Sequence, residues 1–377
     1  MTKEKSYDLT YITIDSLSEG VGSSQIVPLI SRLSKAGLKI NLISFEKEQP
    51  SAQLQNYLDS AEVSWNPRAF GPNGLLGGIH RLNELRSEIQ NTDLIHARSD
   101  IPAVSGITSR MAPVLWDVRS LWADQKVLLP KNRLEKNLYR TYRILEHIAA
   151  SKSMGMSTLT HAVIPILEER NSRLPLLRTV VPTAVDLSRF KFSPSFPKVA
   201  RALFSGTYSN YYDLDLSLRF VNELKKLTSL EVHWARPQES NKPYLGVGEE
   251  RIIPLTQSQM ADVIPNYSFG VSICKLNAGP SLKGAMPTKI AEFLACGRPI
   301  VVNFGLGDMD QLIGEFDVGV VLNGEEQDLQ KNAKKLIRLL RDPETPLRCR
   351  DLAEKHFNMD VGARKYLELY KKLWSRN

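Results

Sequence analysis

Short apolar runs alternate with segments of helical periodicity along almost the whole chain. In the first half, such runs predict β-strands at residues 8–14, 38–44, 61–65, 93–97, 114–118, 157–161 and 178–182. In the second half, they predict strands at residues 202–206, 229–235, 251–255, 268–274, 298–303 and 318–322. Strands that alternate with helices are typical of parallel sheets covered by helices. The pattern therefore predicts an α/β fold.

A proline-containing connector separates the two series of strands. Pro194 and Pro197, in the segment RFKFSPSFPKVA, interrupt both helix and strand. Helices are predicted after the last strand at residues 326–341, about 346–356 and 360–375. Because 377 residues exceed the length of most single domains, we predict two Rossmann-like domains, at residues 1–190 and 198–356.

The composition excludes several classes of protein. Hydrophobic residues make up 42% of the chain and charged residues 24%, a balance that supports ordinary cores and is atypical of disorder. No apolar run approaches the roughly 20 residues of a membrane-spanning helix. The polar start MTKEKSYDLTYITI lacks the apolar core of a secretion signal, so we expect a cytoplasmic protein. Cys274, Cys296 and Cys349 are too scattered for a disulfide framework or a zinc site, and Cys296 is predicted to be a buried thiol.

The formal charge of +8 is concentrated in two segments. Residues 331–377 hold 13 Lys and Arg against 6 Asp and Glu, and residues 131–143 hold 5 against 1. These patches indicate an anionic partner but fall short of a nucleic-acid footprint. In the shorter segment, Leu134, Leu138 and Tyr142 repeat at helical spacing among the cations. Such a helix either lies on an anionic membrane or packs on the protein's own core, and the sequence favours neither.

A glycine-containing loop follows the first predicted strand. In DSLSEGVGSSQ (15–25), Gly20 and Gly22 let the backbone approach a ligand closely, and Ser23 and Ser24 are predicted helix N-cap residues. The N–H groups and the positive end of the helix favour an anion such as phosphate. Glu46, at the end of the second strand, raises the alternative of a dinucleotide site, but the loop lacks the third glycine of G-x-G-x-x-G. A purely structural glycine turn is the other alternative.

The segment GPSLKGAMPTKIAEFLACGRPIVVN (279–303) predicts a second anion site. Its helix should open near Pro287, because proline suits the first helical turn. Thr288 and Lys289 then lie at the helix N-terminus, where hydroxyl, ammonium group and helix dipole face one anion. Glu292, three residues after Lys289, shares that helix face. A cation beside a carboxylate suits a phosphate next to a sugar hydroxyl, and a surface salt bridge is the structural alternative.

These motifs resemble those of family 4 glycosyltransferases. The resemblance rests, in chain order, on SEGVGSSQIVPLISRLSKAGLKINLISFEKE, WDVRSLWAD, VVPTAVDLSRF, AEFLACGRPIVVN and LAEKHFNMDVGARKYLELYKKL, which together span almost the whole length. It implies the GT-B fold, in which two Rossmann-like parallel-sheet domains face each other across a cleft. It also implies that the C-terminal helix, at about 360–377, crosses back to the first domain.

The resemblance further implies the activity. Family members transfer a sugar, with retention of configuration, from a nucleotide-diphosphate donor to a hydroxyl group of a saccharide or lipid-linked acceptor. For this chain it implies an acceptor domain at the N-terminus, a donor domain at the C-terminus, no metal or other cofactor, and a role in cell-surface polysaccharide synthesis. Peripheral contact with the inner face of the membrane fits such a role. The alternatives are a nucleotide-sugar 2-epimerase of the same fold and an inactive nucleotide-sugar or glycan binding protein.

The donor site departs from the family pattern in two places. Glu292 matches the second glutamate of the E-x7-E motif, which contacts the nucleotide ribose, whereas Gly284 replaces the first, which contacts the donor sugar. The Arg and Lys that clamp the diphosphate after the first strand of the second domain are also missing. We expect Lys283 and Lys289 to supply that charge instead.

In the first domain, Arg119 stands where many family members carry a histidine near the reacting sugar. Its structural alternative is to hold Asp117 or Asp124. Asp124 itself is a candidate to orient the acceptor hydroxyl or to act as a base. The predicted catalytic residues are Arg119, Asp124 and Lys289, the predicted donor-binding residues are Gly20, Gly22, Ser23, Gly206, Thr207, Lys283, Thr288, Lys289 and Glu292, and no residue is predicted to bind a metal.

Two D-x-D matches resemble the metal-binding motif of the other major glycosyltransferase fold. Asp213 and Asp215 form one of them, and Asp308 and Asp310 form the other. Both pairs precede or open predicted helices, where acidic residues cap the helix and favour its dipole. We therefore predict that they are caps.

Overall fold

The chain folds into two compact units, Met1–Pro182 with Met359–Asn377 (unit 1) and Thr183–Asn358 (unit 2). The computed structural model describes residues 6–128, 133, 137, 139, 140, 142–206, 211–236, 251–256 and 259–376. Each unit is built on one parallel β-sheet flanked by helices.

Unit 1 contains the first sheet. Its strands are β1 Leu9–Ile12, β2 Ile40–Glu46, β3 Val63–Ala69, β4 Ile95–Arg98, β5 Val114–Val118, β6 Gly155–Thr158 and β7 Leu177–Val180. Its helices include α1 Val27–Lys35, α2 Ala52–Ser60, α3 Gly74–Glu88, α4 Asp100–Ser109, α5 Trp122–Val127, α6 Arg143–Lys152 and α7 Ile164–Arg170. The sheet order is β3-β2-β1-β4-β5-β6-β7. The order therefore reverses between β1 and β4.

Unit 2 contains the second sheet. Its strands are β8 Ala200–Ser205, β9 Leu230–Arg236, β10 Arg251–Pro254, β11 Phe269–Ser272, β12 Ile300–Asn303 and β13 Gly319–Leu322. Its helices include α8 Leu214–Lys225, α9 Met260–Val263, α10 Pro280–Lys283, α11 Thr288–Ala295, α12 Met309–Phe316, α13 Glu326–Arg341 and α14 Thr345–His356. The sheet order is β10-β9-β8-β11-β12-β13, which reverses between β8 and β11.

All the strands predicted from the apolar runs are confirmed, with shifts of a few residues at their ends. Helices cover both faces of a parallel sheet, so its central strands read as continuous apolar runs. β2 is buried along its whole length, as expected of a strand covered on both faces. Cys296 is a buried free thiol, as predicted, and so are Cys274 and Cys349. Within the described part of the chain, no helix is both long enough and apolar enough to cross a bilayer.

The C-terminal helix, α15 Met359–Trp374, packs on unit 1. Leu373 lies against Gly155 of β6, where a Cβ atom would come within 3.0 Å of its side chain. Lys365 Nζ donates to the carbonyl of Val180 at 3.1 Å, and Asp360 pairs with Arg32 of α1. The helix is thereby fixed to elements from both ends of the unit 1 sequence.

Arg298, within the motif AEFLACGRPIVVN, has a structural role in unit 2. Its side chain is fully buried, and its Nη2 donates to the carbonyls of Ser195 at 2.9 Å and Pro265 at 2.7 Å. Nη1 lies 3.3 Å from the carbonyl of Ser193. Burial lowers the pKa of Arg298 to about 10. The arginine therefore holds the connector that precedes β8.

Close packing of α11 on the sheet depends on Gly270 of β11. A Cβ atom at this position would lie 2.3 Å from the ring of Phe293 on α11. By contrast, a Cβ atom at Gly314 of α12 meets no atom within 4 Å. These two glycines provide a matched pair of positions in unit 2.

We expect Gly270→Ala to lower the free energy of unfolding by about 1–3 kcal/mol, because the methyl group overpacks the interface with Phe293. Gly314→Ala should leave stability unchanged or raise it by up to about 1 kcal/mol, since alanine is the better helix former. Urea denaturation of both variants checks this. Equal effects of the two substitutions would contradict the packing argument.

Candidate functional site

The switch point of unit 1, between β1 and β4, carries a buried charged cluster. Arg98, the last residue of β4, donates from Nε to Asp15 Oδ2 at 2.8 Å. Its Nη1 lies 3.7 Å from Asp117 Oδ2 at the carboxyl end of β5. Ligands of open α/β sheets bind beyond the carboxyl ends of strands at such a reversal. The cluster therefore lies at the edge where a ligand site is expected.

Asp117 accepts hydrogen bonds from Ser157 Oγ at 2.8 Å and from Tyr366 OH of α15 at 3.1 Å. His96 Nε2 lies 3.4 Å from its Oδ2. Burial by itself raises the pKa of Asp117, but the charge of Arg119 and the contact with His96 outweigh it, so the pKa lies well below its ordinary value. The carboxylate is therefore ionised and joins β5, β6 and α15.

His96 is fully buried, and burial lowers its pKa despite the neighbouring Asp117. Its Nδ1 shares a hydrogen bond with Tyr370 OH of α15. A carboxylate beside Nε2 favours the tautomer with its proton on that nitrogen, so the tyrosine hydroxyl donates to Nδ1. His96 is thus enclosed by structural partners.

Arg119, a predicted catalytic residue, is largely buried against the same cluster. Its Nη1 lies 3.5 Å from Asp117 Oδ1, 3.3 Å from Tyr366 OH and 3.4 Å from the carbonyl of Val181. These contacts match the structural alternative, in which the arginine holds Asp117. A role of Arg119 toward a sugar stays a prediction.

Asp124, the second predicted catalytic residue, is buried on α5. It accepts hydrogen bonds from Arg143 at 2.8 Å and from both terminal nitrogens of Arg170 at 2.9 Å. Both carboxylate oxygens are engaged, so the side chain ties α5 to α6 and α7. This geometry favours a structural role, and action of Asp124 on an acceptor hydroxyl stays a prediction.

The first loop places Gly20, Gly22 and Ser23 together at the start of the helical segment. Gly20 has a φ of +54°, and a Cβ atom on Gly22 would lie 1.8 Å from the carbonyl oxygen of Ser16. The helical segment begins with a wide turn at Gly22–Ile26 and has no side-chain cap. Ser23 and Ser24 lie inside that turn, and their hydroxyls donate back to the carbonyl of Gly20 at 3.1 and 2.8 Å. The prediction that they are N-cap residues is therefore wrong, because the cap position precedes the turn.

Glu46 is the residue that shapes this loop, which the sequence did not reveal. Its carboxylate accepts hydrogen bonds from Ser16 Oγ at 2.6 Å, from the amide of Leu17 at 2.9 Å and from Ser18 Oγ at 3.0 Å. It also accepts from Ser44 Oγ at 2.8 Å. An acid engaged in this way is not placed to bind a ribose, which argues against the dinucleotide alternative.

In unit 2 the switch point brings Lys289 and Gly206 together. Lys289 Nζ donates to the carbonyl of Ser205, the last residue of β8, at 2.6 Å. It lies 4.2 Å from the centre of the Tyr212 ring and 3.9 Å from where a Cβ atom on Gly206 would stand. Thr207, also predicted to bind the donor, lies outside the described residues. Lys289 therefore reaches the end of β8. The diphosphate cations of the family 4 pattern are missing from the loop after this strand.

Lys289 is the second residue of α11, and Thr288 is the first. Their predicted placement at a helix N-terminus is therefore confirmed. Burial lowers the pKa of Lys289 to about 8, although the nearby Glu292 carboxylate opposes the shift. Glu292 is 4% exposed on the same helix, so little of its carboxylate faces solvent.

Lys283 lies farther along the same sheet edge. It ends α10, and its Nζ is 5.8 Å from the centre of the exposed Phe304 ring, just after β12. Its Nζ is also 3.6 Å from where a Cβ atom on Gly305 would stand. The Gly305 amide donates to the Asp310 carboxylate at 2.9 Å, which shapes this loop. The two predicted lysines thus serve different strand ends, β8 and β12, with β11 between them.

The predicted helix cap at Asp213 is confirmed, since its Oδ1 accepts from the amide of Leu216 at 3.0 Å in the first turn of α8. Asp308 occupies the N-cap position of α12 without a side-chain cap bond. The D-x-D carboxylates of Asp213 and Asp310 therefore accept hydrogen bonds from backbone amides. Among the residues that the structure describes, no group of three or more His, Cys, Asp and Glu side chains is arranged to hold a metal ion.

Comparisons with known proteins find similarity in structure. No family model and no curated protein sequence matches the chain. Sucrose-phosphate synthase from Thermosynechococcus elongatus superimposes with a TM-score of 0.72 at 12% identity, covering 98% of this chain and 99% of that one. A glycosyltransferase from Rickettsia africae gives 0.71 at 14% identity, with 100% of both chains covered.

HepE from Anabaena, solved in complex with UDP-glucose, gives a TM-score of 0.68 at 12% identity, covering 98% of this chain and 100% of that one. At such identities the likeness shows the fold. The predicted fold class, GT-B with two Rossmann-like parallel-sheet units, is therefore confirmed.

We expect Asp117→Asn to lower the free energy of unfolding at neutral pH by roughly 3–5 kcal/mol, because buried cations lose their counter-charge. A carboxylate whose pKa is depressed by folding stabilises the native state above its unfolded pKa of about 4 and loses that effect as pH falls. The difference between wild type and variant should therefore shrink toward about pH 3. Urea denaturation over this range measures it.

Asp93→Asn, at an exposed carboxylate of the same unit, is the control and should change stability by no more than about 0.5 kcal/mol. If Asp117→Asn lowered the free energy of unfolding by the same amount at every pH, the charge of Asp117 would not stabilise the cluster.

Proposed function

We propose that this protein is a retaining, nucleotide-sugar-dependent glycosyltransferase of the family 4 type. The observation that carries the proposal is the position of Lys289 Nζ, at the carboxyl end of β8 beside Gly206 and at the switch point of unit 2. The shared fold with HepE, whose solved complexes contain UDP and UDP-glucose, supports a nucleotide-sugar donor.

Breaking a sugar–phosphate bond builds negative charge on the departing diphosphate. Donors placed in advance at that charge lower the barrier, because they need no reorganisation during the reaction. Lys289 brings an ammonium group to this position, and the N-terminus of α11 adds its positive dipole. Lys283 extends the positive charge toward the end of β12, and Glu292 is assigned to the ribose. Lys289 and the N-terminus of α11, together with Lys283 of α10, thus take the place of the two cations that are missing after β8.

Retention requires the acceptor to attack from the face that the diphosphate leaves. In the proposed mechanism a leaving phosphate oxygen takes the proton of the acceptor hydroxyl, so no carboxylate base is needed. The ion pairs of Asp124 with Arg143 and Arg170 support this choice, since they occupy both of its oxygens. Unit 1, with Arg119 directly after β5, is assigned to the acceptor. Transfer is proposed to need no metal or other cofactor.

The proposed acceptor is a saccharide or a lipid-linked saccharide of cell-surface polysaccharide synthesis. Segment 131–143 is the proposed peripheral contact with an anionic membrane. Its Leu134 and Leu138 lie outside the described residues. The ring centre of Tyr142 is 4.9 Å from that of Trp122, so this residue packs on the protein itself.

Thermal-shift measurements with UDP-, GDP-, ADP- and CDP-sugars test donor binding, because a ligand of the native state raises the melting temperature. The stabilising donor is then incubated with and without a panel of saccharide and lipid-linked acceptors. We expect a glycosylated product only when an acceptor is present. A free epimer formed from donor alone would identify a 2-epimerase, binding without turnover would identify a binding protein, and no stabilisation by any donor would overturn the proposal.

The affinity for nucleoside diphosphate should fall as pH rises through about 8, because the Lys289 ammonium then loses its proton. Lys289→Ala should bind about tenfold to hundredfold more weakly at neutral pH and lose this pH dependence. Lys289→Arg should retain affinity at high pH, since arginine stays charged. Calorimetric titration with UDP measures all three.

Lys198→Ala, which removes an exposed lysine of the same unit, is the matched control and should bind like wild type. Circular dichroism confirms that each variant is folded. A folded Lys289→Ala protein with wild-type affinity would disprove the assignment of the diphosphate to this residue.

A further inference from the structure

We propose that the outer face of α13 is a docking surface for anionic membrane lipids. The α13 face is defined by the exposed side chains of Lys331, Lys334, Arg338 and Arg341. It belongs to unit 2 and is separate from segment 131–143. The proposal does not depend on the transferase activity.

The four cations form a single row on the helix. Their spacings of three, four and three residues place them on one side, because side chains three and four apart are neighbours on a helix surface. From Lys331 to Arg341 the row extends about 15 Å at 1.5 Å per residue. The opposite side of the helix packs on the core through Leu329, Ala333, Leu336 and Leu339, all fully buried. The cations are therefore held facing outward.

A groove of about 560 Å³ lies beside this row. It is lined by Leu227, Lys334, Ile337, Arg338, Arg341 and Asp342. Leu227, in the turn after α8, is 43% exposed, and the neighbouring Ile337 is half-buried. The groove thus combines cations at its rim with apolar side chains. This combination suits a molecule that carries both an anionic group and hydrocarbon.

The acidic residues near the row leave most of its charge uncompensated. Arg338 Nη2 is 2.9 Å from Asp317 Oδ2, so its charge is partly balanced. Asp342, inside the groove, accepts a hydrogen bond from Arg348 at 2.8 Å. Across the described ranges, Lys331, Lys334 and Arg341 make no ion pair. The surface therefore attracts anions.

The length of the row favours a lipid surface over a single small anion. Two neighbouring cations satisfy one phosphate group, whereas four cations spread over about 15 Å match several headgroups side by side. Each Lys or Arg near an anionic bilayer adds to the binding free energy, and the effect is screened by salt. Leu227 and Ile337 then contact the apolar part of the lipid interface. The occupant we assign is the surface of a bilayer that contains anionic phospholipid.

Co-sedimentation of the full chain with phosphatidylcholine vesicles, with and without phosphatidylglycerol, tests this assignment. Wild type should bind only the vesicles that contain phosphatidylglycerol, and less at high salt. The triple variant Lys334→Gln/Arg338→Gln/Arg341→Gln should bind them at least about tenfold more weakly. The single variant Leu227→Gln should also bind more weakly, whereas a purely electrostatic contact would leave its affinity unchanged.

The matched control is Lys35→Gln/Lys39→Gln/Lys198→Gln, which removes the same number of exposed charges elsewhere on the protein. It should retain wild-type binding to within about twofold, because its charges lie off the α13 face. Equal loss in the two triple variants would show attraction by net charge alone and overturn the proposal. The proposal would also be overturned if the wild-type protein bound vesicles equally with and without phosphatidylglycerol.

If the α13 triple variant does not fold, the single variants Arg341→Gln and Leu227→Gln replace it in the test. Wild-type binding by both single variants would then overturn the proposal.

Two further measurements distinguish the α13 face from other possible causes of vesicle binding. Arg133→Gln/Arg140→Gln neutralises part of segment 131–143, and if it abolishes vesicle binding while the α13 variant binds like wild type, the assignment to α13 is wrong. Soluble glycerol phosphate should fail to displace the protein from vesicles. Displacement at concentrations comparable to the accessible lipid would identify a site for a free phosphate and overturn the lipid-surface assignment.

Discussion

A parallel sheet cannot return its chain by tight turns, so each strand must be followed by a crossover that covers one of the two faces. Where the strand order reverses, neighbouring crossovers run to opposite faces and leave the carboxyl ends of two strands open. This constraint acts twice in the protein, between β1 and β4 and between β8 and β11. Arg98 and Asp15 meet at the first opening, and Lys289 meets β8 at the second. The candidate chemistry thus lies where the topology leaves the backbone uncovered.

The elements and the location of Lys289 were predictable from the sequence because both depend on local signals. Apolar runs reveal strands that are buried on both faces, and Pro287 marks the start of α11. Apart from Arg119 and Asp117, which are only two positions apart, the partners of the charged side chains were not predictable, since they come from distant parts of the chain. Asp117 meets Tyr366 across 249 positions and Asp124 meets Arg170 across 46. No periodicity encodes such pairs, and the loop contacts of Glu46 are equally non-local.

In the proposed donor site, the positive charge comes from a different position in the sequence than the family 4 pattern gives it. The family pattern places its diphosphate cations in the loop after the first strand of the second domain, and this chain has none there. Lys289 reaches the same strand end from α11, where its ammonium group bonds to the carbonyl of Ser205. Because the group is partly desolvated there, its charge depends on pH in a way that an exposed lysine's would not.

The discontinuity of unit 1 has a consequence for biosynthesis. Unit 2 is a single stretch, Thr183–Asn358, whereas unit 1 also needs α15, which is synthesised only after unit 2. Until then, Asp117 lacks Tyr366, and His96 lacks Tyr370. Domains usually mature in the order of their synthesis, but here unit 1, which begins before unit 2 in the sequence, must wait for α15. Ribosome-bound chains that lack α15 would therefore contain a complete unit 2 and an incomplete unit 1.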